Sequence, residues 1–158
     1  MEAVSEARAP QWRLSWAIHE SFLAYVEQQV PDAEISCSGG AYRDADGGFC
    51  FPQELGGSSG ELRFRGAVHF TGHGGMLDMR IEDPRIELRG STRALSVVDA
   101  VDEISRIDFA EVIAVPRAAG DEEPAVFDAR INAFSSQEMG GVYPPGSDMA
   151  RIVVSRRG

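Results

Sequence analysis

Between Glu61 and Ile81 apolar and polar side chains change places at nearly every step, and no other feature restricts the fold of this 158-residue chain more. Leu62, Phe64, Val68 and Phe70 fall on one side of the run, with Arg63, Arg65, Ala67, His69 and Thr71 on the other. After Gly74 and Gly75 the alternation resumes over 76–81, with Leu77, Met79 and Ile81 opposed to Asp78 and Arg80. A period of two belongs to strands with one buried face, so 61–71 reads as one strand and 76–81 as another.

Shorter runs at 34–38, 49–52, 85–89, 107–115, 125–134 and 152–154 also read as strands. Gly39–Gly48, Asp83-Pro84 and 116–124 read as turns, Gly56–Gly60 as a flexible connection, and Gly140–Ser147 as a rigid loop. Residues 92–106 fit either a helix or a strand, since Leu95, Val98, Val101 and Ile104 suit both. One stretch reads as helix: from Ser15 to Val30, Trp16, Ile18, Phe22, Leu23, Tyr25 and Val26 recur at three- and four-residue steps. Ser15 is the expected N-cap, and Pro31 stops the helix at or before Val30. The expected fold is mainly β (α+β), an antiparallel sheet or sandwich with a prominent N-terminal helix covering an open end. Residues 1–10 read as a flexible lead-in and 11–158 as a single domain.

The formal net charge of −10 argues against nucleic acid or an anionic membrane surface as partner. All 15 basic residues are arginine; without lysine, Schiff-base chemistry and a P-loop are excluded. No window reaches the roughly 18 apolar residues of a membrane span. The N-terminus lacks an apolar signal core, so the chain as it stands reads as cytoplasmic, or as secreted or surface-associated if a leader was removed. Cys37 and Cys50 suit buried free thiols better than a zinc site, and would pair across a hairpin only in an exported protein.

Two runs carry candidate chemistry. On the helix, Ser21 and Tyr25 stand one turn apart on a face shared with Ile18 and Phe22. The 61–71 strand leads to His73, just before the glycine pair. A tyrosine free in water titrates near 10, so its phenolate forms at neutral pH only with help. Ferric haem iron supplies most of that help, and a histidine donating to the phenolate oxygen adds to it. Tyr25 and His73 suit these parts, Phe22, Val142 and Tyr143 suit the walls, and Ser21 suits a propionate or the phenolate. Each also has an ordinary reading, Tyr25 as a core tyrosine and His73 as a turn residue. Spacing alone leaves both open. His69 stays unassigned, and His19 is expected to face solvent. No G-x-S-x-G elbow is present, and Asp44-Ala-Asp46 lacks the distal glutamate of a calcium loop.

Taken in order, these runs resemble a known family. Trp16-x4-Ser21-Phe22-x2-Tyr25, Gly48-Phe49-x-Phe51-Pro52, the strand from Phe64 to His73, Leu77-Asp78, Asp83-Pro84-Arg85-Ile86 and Gly141-Val142-Tyr143 together resemble the HtaA haem-binding domain over about residues 12–154. That family serves bacterial haem uptake, mostly as secreted or surface-anchored proteins. The resemblance implies ferric haem b with Tyr25 as axial ligand, His73 hydrogen-bonded to it, and Ser21 and Tyr143 in contact with haem. It also implies haem transport, storage or transfer without catalysis, with other haem-carrier proteins as partners. The late loop departs from the family's usual leucine-aspartate-proline run, reading Pro144-Pro145-Gly146-Ser147-Asp148. Two alternatives are a haem-free interaction or structural module of the same fold, and a tyrosinate-haem peroxide enzyme; the latter lacks a recognisable distal acid or base.

Overall fold

The computed structural model describes residues 12–54, 61–116 and 125–156. The expected lead-in at 1–10, the Gly56–Gly60 connection and the turn at 117–124 lie outside the described residues. Within them the protein is β-rich, with strands β1 (Trp12–Trp16), β2 (Glu34–Ser38), β3 (Tyr42–Arg43), β4 (Phe49–Pro52), β5 (Leu62–Arg63) and β6 (Ala67–Gly72). There follow β7 (Leu77–Glu82), β8 (Arg85–Arg89), β9 (Thr92–Val98), β10 (Arg106–Ala114), β11 (Ala125–Ile131) and β12 (Ile152–Arg156). The helices are α1 (Glu20–Gln29) and α2 (Ala133–Glu138). Among the described residues, nine strands form one antiparallel sheet in the order β3-β4-β1-β12-β11-β10-β9-β8-β5. Three form a second, β2-β6-β7.

Both sheets bury one face against a shared core. In the small sheet Phe70 stands between Ile35 and Met79, and Val68 between Cys37 and Ile81. Val68, Phe70, Met79 and Ile81 are wholly buried, as the alternation predicts. Phe70 meets Phe49 of β4 at 5.8 Å and Phe22 of α1 at 5.8 Å, joining both sheets and the helix in one aromatic contact. Trp16 and Phe109 stand 6.2 Å apart although two strands separate β1 from β10. The two side chains reach toward each other across the face of β12 and β11 that the core covers.

Three expectations are corrected. The helix begins at Glu20, not Ser15, because Leu14 and Trp16 are alternately buried in a strand paired on both edges, to β4 and β12. Its N-cap is His19, whose Nδ1 accepts the Phe22 N–H at 3.1 Å. The run 61–71 is two strands in different sheets, broken at Gly66. Gly66 has φ of +115°, and a Cβ there would lie 2.5 Å from the Ala41 nitrogen, so only glycine lets the chain cross at this point. The strand expected over 125–134 ends at Ile131, where Asn132 caps α2 through a reciprocal bond pattern with Ser135. The ambiguous 92–106 segment begins as strand β9, paired to β8 and β10. Cys37 and Cys50 are free thiols on different sheets, half-buried and buried respectively.

Candidate functional site

Helix α1 carries the first functional group because its apolar stripe leaves one edge free. Phe22, Leu23 and Val26 are buried, while Ser21 and Tyr25 stand at the margin of that stripe, Tyr25 with 41% of its surface exposed. The helix ends where Pro31 forces Val30 into extended geometry (φ −110°, ψ 102°). Asp32 follows at once, and its carboxylate accepts two backbone donors from the far side of the site. The His73 N–H reaches Oδ1 and the Gly74 N–H reaches Oδ2, both at 2.9 Å. These bonds hold His73 at φ +51°, a left-handed conformation that costs a non-glycine residue about 1 kcal/mol or more.

The consequence is a direct contact between residues 48 positions apart: Tyr25 Oη lies 2.7 Å from His73 Nε2. With the imidazole carrying its proton on Nδ1, the tyrosine O–H donates to Nε2; with the phenol ionised, Nε2–H donates to the phenolate. Gly72 contributes by lacking a side chain, since a Cβ there would stand 2.8 Å from Val30 Cγ1 and force α1 away from β6. The bonds to His73 and Gly74 depress the Asp32 carboxyl below its ordinary 3.8, those two N–H groups being the leading causes. A depressed carboxyl stabilises the folded turn above its unfolded pKa and loses that contribution as pH falls through its folded value. The contribution of Asp32 to the turn is therefore present at neutral pH and is lost as pH falls below the ordinary carboxyl range. Asp32→Ala is expected to speed exchange of the His73 and Gly74 amides about tenfold at neutral pH while leaving β6 amides unchanged. Proton exchange read by NMR checks it, and equal protection in both proteins would show that Asp32 does not hold the turn.

Tyr25 and His73 open onto a cavity of about 720 Å³, walled also by Phe22, Leu77, Met139 and Tyr143. This size is typical of small-molecule and cofactor pockets. Met76 and Val142 stand at its rim, 90% and 73% exposed. One wall comes from the turn after α2, where Gly140 and Gly141 take positive φ and send the chain back over the cavity. Ser136 Oγ donates to the Tyr143 carbonyl at 2.7 Å and fixes that return. Burial pushes the Tyr143 phenol above its ordinary range. Its ring packs on His19 at 4.1 Å and edge-on to Phe22 at 6.4 Å.

Of the residues anticipated from the sequence, Phe22, Tyr25, His73, Val142 and Tyr143 line this one cavity. Ser21 does not; it lines a separate depression with His19, Glu20, Asp148 and Arg151. His19 is buried, not solvated: it caps α1, supports Tyr143, and is held below its ordinary pKa by burial. His69 lies outside the cavity, 2.6 Å from Asp78 on the exposed face of the small sheet. Asp32, His19 and Glu138 were not singled out by sequence. Asp32 directly after the helix-stopping Pro31 is the kind of signal that marks a capping or turn role; nothing in the sequence marks the other two. Among the described residues no group of three or more histidine, cysteine or acidic side chains forms a metal cage; the hydrogen-bonded donors of this cavity are the Tyr25 phenol and the His73 imidazole, with Glu138 and Tyr143 also in its lining.

The sequence matches the family described as Htaa over residues 11–155. Among solved structures the chain is similar to the C-terminal domain of HtaA from Corynebacterium glutamicum, with 22% identity and a TM-score of 0.73, covering 93% of this chain and 96% of that one. It is similar also to the N-terminal domain of HtaA from the same organism (24%, TM-score 0.72, covering 92% and 96%). A third similar structure is the heme binding protein HtaB of that organism (20%, TM-score 0.70, covering 93% and 94%). No curated protein matches the sequence.

Proposed function

The chain belongs to the HtaA family, and from that premise we propose that it binds ferric haem b through Tyr25, with His73 as the hydrogen-bond partner of the ligand. The observation that carries this reading is the 2.7 Å contact between Tyr25 Oη and His73 Nε2 at an apolar cavity. A phenol hydrogen-bonded to an imidazole is a good arrangement for a phenolate ligand, whose charge the Nε2–H supports. Phe22, Leu77, Met139 and Tyr143 supply apolar walls for a flat macrocycle, and Val142 and Met76 a rim. Bound there, ferric iron would supply the Lewis acidity that keeps the tyrosine ionised near neutral pH.

The function is haem transport, storage or transfer, not turnover, with haem itself and other haem-carrier proteins as partners. That HtaB is a heme binding protein of the same fold supports the reading.

Titration of the purified protein with hemin tests the proposal: saturation at one haem per chain, with a ligand-to-metal charge-transfer band, is expected. Absence of saturable binding would favour a haem-free interaction module. His73→Ala is expected to weaken hemin binding about 10- to 100-fold, or to shift the spectrum, without abolishing binding, as loss of a ligand's outer partner does. Identical spectra and haem retention in wild type and variant would remove His73 from the site.

A further inference from the structure

We propose that Glu138 is a specificity-determining residue of the cavity: its carboxylate keeps the ionised edge of the macrocycle away from the α2 wall, so the propionates leave the pocket elsewhere. This rests on the haem reading above and concerns which edge of the ligand the protein accepts.

Haem presents two chemically unlike edges, one apolar and one carrying two carboxylates. A pocket that grips the second usually offers it an arginine or lysine. Here the chain has no lysine, and among the described residues no arginine lines the cavity. The charged side chain there is an acid. Glu138 ends α2 half-buried, beside Gln137, Met139 and Gly140, and faces the volume that Tyr25 and His73 open onto. Burial raises its carboxyl above the ordinary 4.5, and the negative charges of Asp78 and Asp99 raise it further. The surroundings therefore resist a second negative charge at this wall, and among the described residues no arginine in the cavity lining relieves it. A propionate set beside Glu138 would meet a like charge in a medium of reduced dielectric, where repulsion is several times that in water.

The other sides of the cavity are different. Beyond the rim at Met76 and Val142 lies solvent. That exit gives the propionates water, whereas the α2 wall gives them a carboxylate. Glu138 thus favours entry of the apolar edge toward α2 and disfavours the reversed orientation.

Equilibrium titration of wild type, Glu138→Gln and Glu138→Arg with hemin and with hemin dimethyl ester tests this at about pH 8, above the ordinary carboxyl range. The ester has the same ring and iron but no charged edge. Glu138→Gln is expected to tighten hemin binding by up to about twofold, by admitting the reversed orientation, with the ester unchanged, and Glu138→Arg to tighten hemin about three- to tenfold by attracting the ionised edge. An unchanged hemin-to-ester affinity ratio across the three proteins, or hemin binding that weakens selectively in Glu138→Gln, overturns the inference. A variant that loses both ligands by the same factor leaves the ratio unchanged and so also counts against it. If wild type binds hemin and Tyr25→Phe does not, the haem reading stands whatever the Glu138 variants do. If wild type binds neither ligand, both fail together.

Discussion

Tyr25→Phe is expected to lose more than about 100-fold in hemin affinity, together with the charge-transfer absorption, because even the outer partners of a metal ligand typically contribute 10- to 100-fold. The substitution keeps the ring and removes one oxygen. Tyr25 is 41% exposed on the free edge of α1, and its side-chain hydrogen bond goes to His73, which is itself exposed. Surface changes of this kind usually alter stability by no more than about 0.5 kcal/mol. Fold and binding are therefore separable here: circular dichroism and the melting temperature should be unchanged while the haem spectrum disappears. Tyr25→Ala should behave alike toward haem. A variant that retains the wild-type Soret and charge-transfer bands would show that another residue holds the iron, and would leave the Tyr25–His73 contact as an ordinary surface hydrogen bond.

That contact also shows what the sequence could and could not convey. Period-two alternation made the β class legible, and it placed Val68, Phe70, Met79 and Ile81 on the buried side correctly. It did not reveal that the 61–71 run crosses between sheets. The break depends on Gly66 lying against Ala41, a tertiary approach that no local pattern encodes. The N-terminal helix was legible in existence but not in its start. Trp16, Ile18 and Phe22 satisfy helical spacing by coincidence, since Trp16 is buried from a strand and Phe22 from the helix. Helix α2 was missed because six residues are too few to establish a period of 3.6.

At the site, Tyr25 and His73 lie 48 residues apart, so spacing alone could not join them. The ordered motifs from Trp16 to Tyr143 did so, by resemblance. The supporting groups stayed hidden for a physical reason: Asp32 acts through backbone N–H groups of a distant turn, and His19 acts through a cap and a ring contact. Glu138 reaches the cavity only because the Asn132 cap and the Gly140-Gly141 turn fix where α2 ends. Roles made by backbone donors and by chain direction leave little trace in side-chain pattern.

Phe70→Ala is expected to cost about 3–5 kcal/mol, the range for truncating a fully buried phenylalanine, because a cavity replaces the ring that joins three layers. Phe70 is wholly buried, lies 5.8 Å from both Phe49 and Phe22, and occupies the central strand of the small sheet between Ile35 and Met79. Domains of this size have a total stability of about 5–15 kcal/mol, so the loss is a large share of what holds the chain folded. At about 2–4 °C per kcal/mol the melting temperature should fall by roughly 6–20 °C. Phe70→Leu should fall by less, since it leaves a smaller void. The effect should also reach the site, because Phe22 rests on Phe70 and leads α1, which carries Tyr25 to His73. Hemin affinity in Phe70→Ala, measured well below its melting temperature, should therefore drop even though Phe70 does not line the cavity. Thermal unfolding followed in parallel with hemin titration separates the two effects. A melting temperature within 2 °C of wild type, about the shift of a 1 kcal/mol change, would show that the two sheets and α1 do not depend on this shared aromatic contact.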